Sequence, residues 1–112
     1  MSAPSRPRLV SLKGDAAFRR LRRARSYKGR YLTLRYRPIA EPEVRVGIVV
    51  SKKVGKAVVR NKVKRRVREI LRKTHLPPAE VMIIARPEAA EASFQDLFKD
   101  LYRLLRKSGL GG

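Results

Sequence analysis

The chain has no cysteine, no tryptophan and a single histidine, His75. Without cysteine it can form no disulfide, no thiolate metal site and no cysteine nucleophile. One histidine argues against a histidine-based catalytic triad and against a multi-histidine metal site. No apolar run approaches the ~20 residues of a membrane-spanning helix, and the N-terminus has no apolar signal-peptide core. We therefore expect a soluble, cytoplasmic protein with no membrane partner.

Acidic residues are also scarce, because 9 Asp+Glu stand against 29 Lys+Arg and leave a formal net charge of +20. The excess is confined to residues 1–75, which carry 24 basic and 4 acidic residues, whereas residues 76–112 carry five of each. A charge kept only for solubility would be spread more evenly. Such strong self-repulsion is relieved by a bound polyanion, so nucleic acid is the expected partner.

The chain is long enough for one compact domain and too short for two. Its 112 residues are 43% hydrophobic, which is enough to build an ordinary core. We therefore predict a single domain over residues 1–112. Residues 1–12 contain two prolines and little apolar periodicity, so we expect a mobile basic arm there and a flexible tail over residues 108–112.

Hydrophobic periodicity predicts one helix and two strands before the central basic region. Asp15 is the expected N-cap of a helix that runs to about Arg23. The predicted strands are Tyr31–Tyr36, which alternates with period two, and Val44–Val50, which is mostly β-branched. Strict alternation places Tyr31 and Tyr36 on opposite faces of their strand.

The second half of the chain predicts a helix, a strand and a last helix. A helical apolar stripe runs through Lys56–Lys73, and Val81–Arg86 reads as a buried strand. Ser93 and Asp96 resemble a capping box that opens the last helix, and Gly109 is its expected end. This order of elements predicts an α+β fold in which amphipathic helices pack on a small sheet.

The middle helix is also the most basic segment, with the sequence VRNKVKRRVREILRK over residues 59–73. Arg60, Lys64 and Arg68 fall four apart and therefore share one helix face, with Asn61 and Arg65 beside them. Like charges at this spacing cost a few tenths of a kcal/mol per pair unless phosphates lie between them. The planar fork of arginine suits bidentate phosphate contacts. Asn61 could read a base edge or hold a metal-bound water, or it could simply cap the helix.

The stretch from Gly47 to Arg68 closely resembles the bacterial ribonuclease P protein subunit. The resemblance rests on Arg60-Asn61-Lys62 with Lys64-Arg65 and Arg68 after it, and on a preceding strand that leads into Ser51-Lys52-Lys53 with Gly55 beyond. The later strand also matches, with its Ile-Ile-Ala-Arg ending at Arg86. The likeness covers roughly residues 8–107.

The resemblance implies a two-layer α/β sandwich of a small central sheet and three helices, with a left-handed βαβ crossover through the basic helix. This handedness departs from the general right-handed rule. It also implies two RNA partners, the catalytic RNA subunit of ribonuclease P and precursor tRNA, and no obligate protein partner. That ribonucleoprotein is an endoribonuclease that removes the 5′ leader of precursor tRNA. The RNA subunit holds Mg²⁺ and does the chemistry, so the protein would supply no catalytic residue and no metal ligand.

By the family pattern, two groups of residues would bind RNA. Those expected to contact the catalytic RNA are Lys52, Lys56, Arg60, Asn61, Lys62, Lys64, Arg65 and Arg68. Those expected to contact the single-stranded leader, in a cleft between the first helix and the sheet, are Phe18, Arg22, Tyr31, Val49, Lys53 and Ala57. Arg22 and Leu34 stand where relatives often have aromatic residues, so leader binding here would depend more on charge than on stacking. The alternative role for Phe18 is plain core packing.

Three other functions remain open from the residues alone. A ribosomal or assembly protein that binds RNA would have the same composition. A helix-turn-helix DNA-binding protein is disfavoured, because strands rather than a preceding helix support the basic helix. A protein-only nuclease is disfavoured because no acidic cluster looks able to hold two metals. Helix capping explains Glu88, Glu91 and Asp96 better than metal binding does.

Overall fold

A computed structural model describes residues 7–110 as a five-stranded mixed sheet with three α-helices. In chain order the elements are β1 (Arg8–Ser11), α1 (Asp15–Arg22), β2 (Ser26–Lys28), β3 (Leu32–Pro38), β4 (Glu43–Val49), α2 (Ala57–Arg72), β5 (Ala79–Ala85), a 3₁₀ helix (Pro87–Glu91) and α3 (Phe94–Ser108). The strand order is β1-β4-β5-β3-β2. β4 pairs in parallel with both β1 and β5, whereas β3 is antiparallel to β5 and β2. The predicted crossover through the basic helix is confirmed, and its hand stays a prediction.

One face of the sheet carries the main hydrophobic core, under α2 and α3. Successive strand residues point to opposite faces, and in β5 it is Val81, Ile83 and Ala85 that join this core. The two helices contribute leucine, isoleucine and valine side chains at helical spacing: Val63, Val67, Ile70 and Leu71 from α2, and Leu97, Leu101, Leu104 and Leu105 from α3. The apolar stripes predicted for both helices are confirmed.

Within residues 7–110, α1 is the one helix that packs on the opposite face. Ala17 and Leu21 of α1 form a small separate cluster with Leu12 and Met82. Met82 lies between Val81 and Ile83 in β5, so its side chain must leave the sheet on the other side. The α+β class with three helices is confirmed. α1 packs on one face of the sheet, and α2 and α3 pack on the other.

The ends of α3 follow the predicted pattern. The Ser93 hydroxyl accepts the Asp96 backbone N–H at 3.0 Å, and the Asp96 carboxylate accepts the Ser93 N–H at 3.0 Å. Hydrogen bonds donated to the Asp96 carboxylate by the Ser93 backbone N–H and by the Ser93 side chain hold its pKa below its ordinary value. Gly109 ends the helix at φ 82°, a left-handed conformation that favours glycine.

Several local predictions are wrong. Gly14 rather than Asp15 is the N-cap of α1, and Asp15 is the first helical residue. Arg8–Ser11 is a strand beside β4 rather than part of a mobile arm, while residues 1–6 of that predicted arm lie outside the described residues. Of the predicted tail, Ser108 still belongs to α3 and Leu110 is buried in the main core, while residues 111–112 lie outside the described range. The short strand β2 had no counterpart in the prediction.

A buried carboxylate connects α3 to the chain before β3. Asp100 is 3% exposed and accepts the backbone N–H groups of Arg30, Tyr31 and Leu32 at 2.9–3.0 Å. Three backbone donors satisfy an anion that would otherwise be costly to bury. None of the helices in the described part of the chain combines the length and apolar character needed to cross a membrane.

Candidate nucleic-acid interface

The basic helix α2 presents a continuous polar face to solvent. Valine has low helix propensity, so α2 is stabilised mainly by burial of its stripe of apolar side chains against the sheet. At 3.6 residues per turn, Asn61, Lys64, Arg65 and Arg68 lie within an arc of about 100°. Lys64 is half-buried and the other three are exposed. This set, called here the α2 basic face, contains no acidic residue, since the helix's only carboxylate, Glu69, lies outside the arc and pairs with Arg72 at 3.6 Å.

Three other basic residues of α2 lie away from that face, and two of them, Arg60 and Lys62, were predicted to contact RNA. Lys62 is exposed but lies about 120° from Arg68 around the helix. Arg60 is half-buried, and its Nε donates to the Gly55 carbonyl at 3.2 Å, which supports the turn before the helix. Arg66 donates to the Ala92 carbonyl at 2.8 Å and thus ties α2 to the segment before α3. Asn61 lies inside the helix and Lys56 is the N-cap, so the capping alternative for Asn61 is excluded.

Beside the α2 basic face runs a groove of about 280 Å³ between α2 and the edge of the sheet. Lys64 and Arg68 line one side, and Leu9 of β1 and Ile48 of β4 supply apolar surface. The groove exists because β1 extends the sheet past β4. β1, which belongs to the segment predicted as a mobile arm, therefore forms one wall of this groove.

The turn between β4 and α2 brings the predicted lysines together. Lys52, Lys53 and Lys56 are all exposed, and the buried Val54 anchors the turn between them. Ala57, the first residue of α2, is also exposed. The first turn of α2 has no acidic residue and no side-chain cap, so its N-terminal N–H groups and the lysines together favour an anion.

On the opposite face of the sheet, Phe18 and Val49 share one surface. A Cβ atom at Gly47 would lie 2.9 Å from Phe18 Cε1, so only glycine lets the ring pack this closely on β4. Val49 is two residues further along β4, therefore on the same face, and is 37% exposed. Phe18 is half-buried and contacts the small α1 cluster. Both of its predicted roles, core packing and a place on an open surface, are compatible with this position.

Of the other residues predicted for the leader site, Arg22 is exposed on α1 near Phe18, whereas Tyr31 lies elsewhere. Arg22 is exposed at the end of α1, one turn after Phe18, and its carbonyl accepts Arg35 Nη1 at 2.6 Å. Tyr31 is not brought into this group, because its ring packs against the main core. Tyr36 packs against the same core, so the prediction that the two tyrosines lie on opposite faces is wrong. Tyr31 precedes β3, and strand alternation therefore does not govern it.

Apart from Val49, the residues that line the α1 face of the sheet were not predicted from the sequence. Strand register aligns Val49, Ile84 and Thr33 in one row across β4, β5 and β3, and Gly47, Met82 and Arg35 in the next. The first row continues from the exposed Val49 towards the half-buried Ile84 and supplies an apolar floor. Period-two alternation in β5 is the signal that would have found them, but that strand reads as wholly buried.

A third row on the same face is ionic. The Glu80 side chain is 1% exposed and contacts three guanidinium groups: Arg20 at 3.2 Å, Arg37 at 3.2 Å and Arg45 at 3.6 Å. A hydrogen bond to Glu43, with further support from Glu41 and Glu80, raises the pKa of Arg45. One buried anion thus holds part of the positive charge of α1, β3 and β4 in fixed positions.

Carboxylates and the histidine do not gather anywhere in residues 7–110 into a group of three that could hold a metal ion. Glu80 faces arginines, Asp100 faces backbone N–H groups, and Asp96 caps α3.

Comparison with known proteins gives a consistent result. Residues 7–109 match the family model described as Ribonuclease P. The chain is 66% identical over 102 residues to the ribonuclease P protein component of Thermus oshimai, covering 91% of this chain and 66% of the relative. It is 64% identical over 103 residues to that of Thermus thermophilus, covering 92% of this chain and 62% of the relative. The chain thus spans just under two thirds of the length of these curated relatives.

Solved structures match the fold. The Staphylococcus aureus RNase P protein superposes with a TM-score of 0.80 at 30% identity, covering 91% of this chain and 97% of that one. The RNase P protein from Thermotoga maritima gives a TM-score of 0.77 at 28% identity, covering 87% of this chain and 96% of that one. The five-stranded sheet and three helices described above are therefore shared with these proteins.

Proposed function

Because this chain belongs to the ribonuclease P protein family, we propose that it is the protein subunit of a cytoplasmic ribonuclease P. It binds a catalytic RNA through the α2 basic face and the 5′ leader of precursor tRNA along the α1 face of the sheet. The RNA carries out Mg²⁺-dependent endonucleolytic removal of the leader, and the protein strengthens substrate binding. The observation that carries this proposal is the α2 basic face, with no carboxylate among its cations.

The α2 basic face suits an RNA backbone for electrostatic reasons. Lys64, Arg65 and Arg68 offer three cations within little more than one helical turn, and Asn61 adds a donor and an acceptor. Phosphates placed between such cations remove their mutual repulsion and release counterions from the RNA. The lysines of the β4–α2 turn extend this positive surface towards the α1 face.

The α1 face suits a leader of variable sequence. The row through Val49 and Ile84 is apolar, and Phe18 offers part of an aromatic ring beside it. Stacking and apolar contact accept any base. Arg22, one helical turn after Phe18, and Lys53, four residues after Val49, are both exposed and supply charge for the phosphates. Tyr31 takes no direct part in this proposal, since its ring packs in the main core.

In this proposal Mg²⁺ belongs to the RNA partner. Glu80, Asp100 and Asp96 are engaged in holding the fold, which supports a protein that neutralises phosphates while the RNA holds the metal. No step of the hydrolysis is assigned to a side chain of this protein.

Binding to the RNA subunit tests the role of α2. We expect Arg65→Ala/Arg68→Ala to weaken binding of a Thermus ribonuclease P RNA by at least about tenfold at 0.15 M salt, which is ~1.4 kcal/mol. The slope of log K against log salt concentration should fall by about 1.4–1.8, since each lost phosphate contact removes about 0.7–0.9. Filter binding at several salt concentrations measures both quantities.

Arg25→Ala/Lys28→Ala is the matched control, because it removes two exposed cations at the β2 edge of the sheet, away from α2. We expect this control to change the slope of log K against log salt concentration by less than half as much as Arg65→Ala/Arg68→Ala does. Equal effects of the two double variants would show that only total charge matters. That result would favour a general RNA-binding protein over the proposed interface.

A further inference from the structure

The outer surface of α3 carries a row of aromatic rings that neither the core nor the proposed interface accounts for. Phe94 and Phe98 have ring centroids 6.4 Å apart, and Phe98 and Tyr102 have centroids 6.3 Å apart with an angle of 6° between their planes. Phe94 and Phe98 are half-buried against the main core, which fixes them in place. Tyr102 is 50% exposed. This set of three rings is called here the α3 aromatic row.

Cations surround the α3 aromatic row. Arg106 Cζ lies 5.8 Å from the Tyr102 ring centroid, and Lys99, Arg103 and Lys107 line the surface around it. Within residues 7–110, no salt bridge involves any of these four cations. The two carboxylates of α3 are engaged elsewhere, Asp96 in the capping box and Asp100 beneath the chain before β3. The surface is therefore aromatic and positively charged, a combination that binds single-stranded nucleic acid.

The position of the row indicates which RNA it would contact. Lys73, the C-cap residue of α2, has its Nζ 5.6 Å from the Phe94 ring centroid, so the row begins where the basic helix ends. α2 and α3 lie together on one face of the sheet, and the proposed leader strip lies on the other. An RNA bound along α2 could continue onto α3 without crossing the sheet.

We propose that the α3 aromatic row is a second RNA-binding surface that stacks an unpaired base of the catalytic RNA subunit on Tyr102. Arg103, Arg106 and Lys107 contact the phosphates on either side of that base. This inference rests on the proposed function, because it takes the catalytic RNA to be the partner of α2. It adds a contact of a different kind, since α2 offers charge without any aromatic ring.

A tryptophan reporter tests the stacking directly. Tyr102→Trp introduces the only tryptophan of the chain, and stacking on a base should quench its emission. We expect a Thermus ribonuclease P RNA to quench this variant strongly. Inorganic polyphosphate, which offers charge without bases, and a ten-nucleotide leader oligonucleotide should leave the emission nearly unchanged. The matched control is Ala40→Trp in the β3–β4 turn, which the RNA should not quench.

A second variant measures the energetic contribution. Phe98→Leu/Tyr102→Leu keeps apolar side chains on the helix and should weaken binding of the RNA subunit by about fivefold or more. RNA binding without quenching at position 102, or quenching by the leader oligonucleotide instead, would overturn the inference while the proposed function stands. A spectral shift that depends on protein concentration without RNA would assign the surface to a second copy and would also overturn it. If the unmodified protein fails to bind the RNA subunit, both proposals fall.

Discussion

The two faces of the sheet are built on different principles. The face under α2 and α3 is a continuous apolar core in which Leu32, Leu34 and Ile83 are fully buried. The face under α1 has a cluster of four buried apolar residues, an ionic row around Glu80 and an apolar strip that ends at the exposed Val49. The face under α2 and α3 supplies most of the stability that comes from apolar burial. The face under α1 can therefore leave part of its surface exposed.

This division has a functional consequence. A sheet face that one eight-residue helix covers leaves room for an extended ligand beside that helix. The proposed leader strip lies there, whereas the proposed contacts with the catalytic RNA lie on the outer sides of the helices that cover the main core. In the proposed function, the sheet therefore separates the catalytic RNA from the leader by binding them on opposite sides.

The largest expected effects on stability come from substituting the two buried carboxylates, Asp100 on the α3 side of the sheet and Glu80 on the α1 face. Asp100→Asn leaves at least one of the three backbone N–H groups that this carboxylate binds facing an amide NH₂, so we expect it to lower the free energy of unfolding by about 3 kcal/mol. Glu80→Gln should cost about 1 kcal/mol, because its three arginines are 30–47% exposed and remain hydrated. Urea unfolding measures both.

Salt distinguishes the two carboxylates further. The cost of Glu80→Gln should shrink in 1 M salt, because that carboxylate interacts with partly exposed charges. The cost of Asp100→Asn should change little, because its partners are backbone N–H groups in contact with it. Equal salt dependence for the two variants would contradict the distinction between the two faces.

A smaller effect is expected from Phe18→Leu, which keeps apolar bulk over Gly47 but removes the aromatic ring. We expect binding of precursor tRNA to weaken by about 5–10-fold in the presence of the RNA subunit, a loss near the lower end of the range for stacking one base. Binding of mature tRNA, which has no leader, should stay unchanged and is the internal control. Equal weakening for both substrates would remove Phe18 from the leader site.

The smallest effect concerns the capping box of α3. The folded pKa of Asp96 is lowered, so its contribution to stability is complete above the unfolded pKa near 4 and is lost as pH falls through the folded pKa. We expect Asp96→Asn to have a lower melting temperature than the unmodified protein at pH 7. Near pH 2 the difference between the two melting temperatures should shrink. A difference that grew on acidification would contradict the capping role.

Much of the fold follows from periodicity in the sequence. The stripes of α2 and α3 and the capping pair Ser93 and Asp96 are local signals, and the structure confirms them. β1 and β2 were beyond such reasoning, because four and three residues carry little periodicity and depend on pairing with β4 and β3. The N-cap of α1 is Gly14, which has no side chain to cap the helix. A search for capping side chains therefore could not have found where α1 begins.

The candidate site was predictable where it is helical and less so elsewhere. Helical spacing alone groups Lys64 with Arg68, as found. Arg60 and Arg66 bond to the carbonyls of Gly55 and Ala92, and only tertiary structure shows that these two cations have such partners. The row through Val49 and Ile84 depends on strand register, which a single sequence does not specify without the pairing partners.

The most direct test of the account is cleavage of a precursor tRNA at low Mg²⁺ concentration by RNA alone, protein alone and both together. A Thermus ribonuclease P RNA serves as the RNA subunit, and Arg65→Ala/Arg68→Ala serves as the impaired protein. We expect efficient release of the leader only by the combination, with most of that gain lost in the double variant. Cleavage by the protein alone, or no gain when the protein binds the RNA, would contradict it.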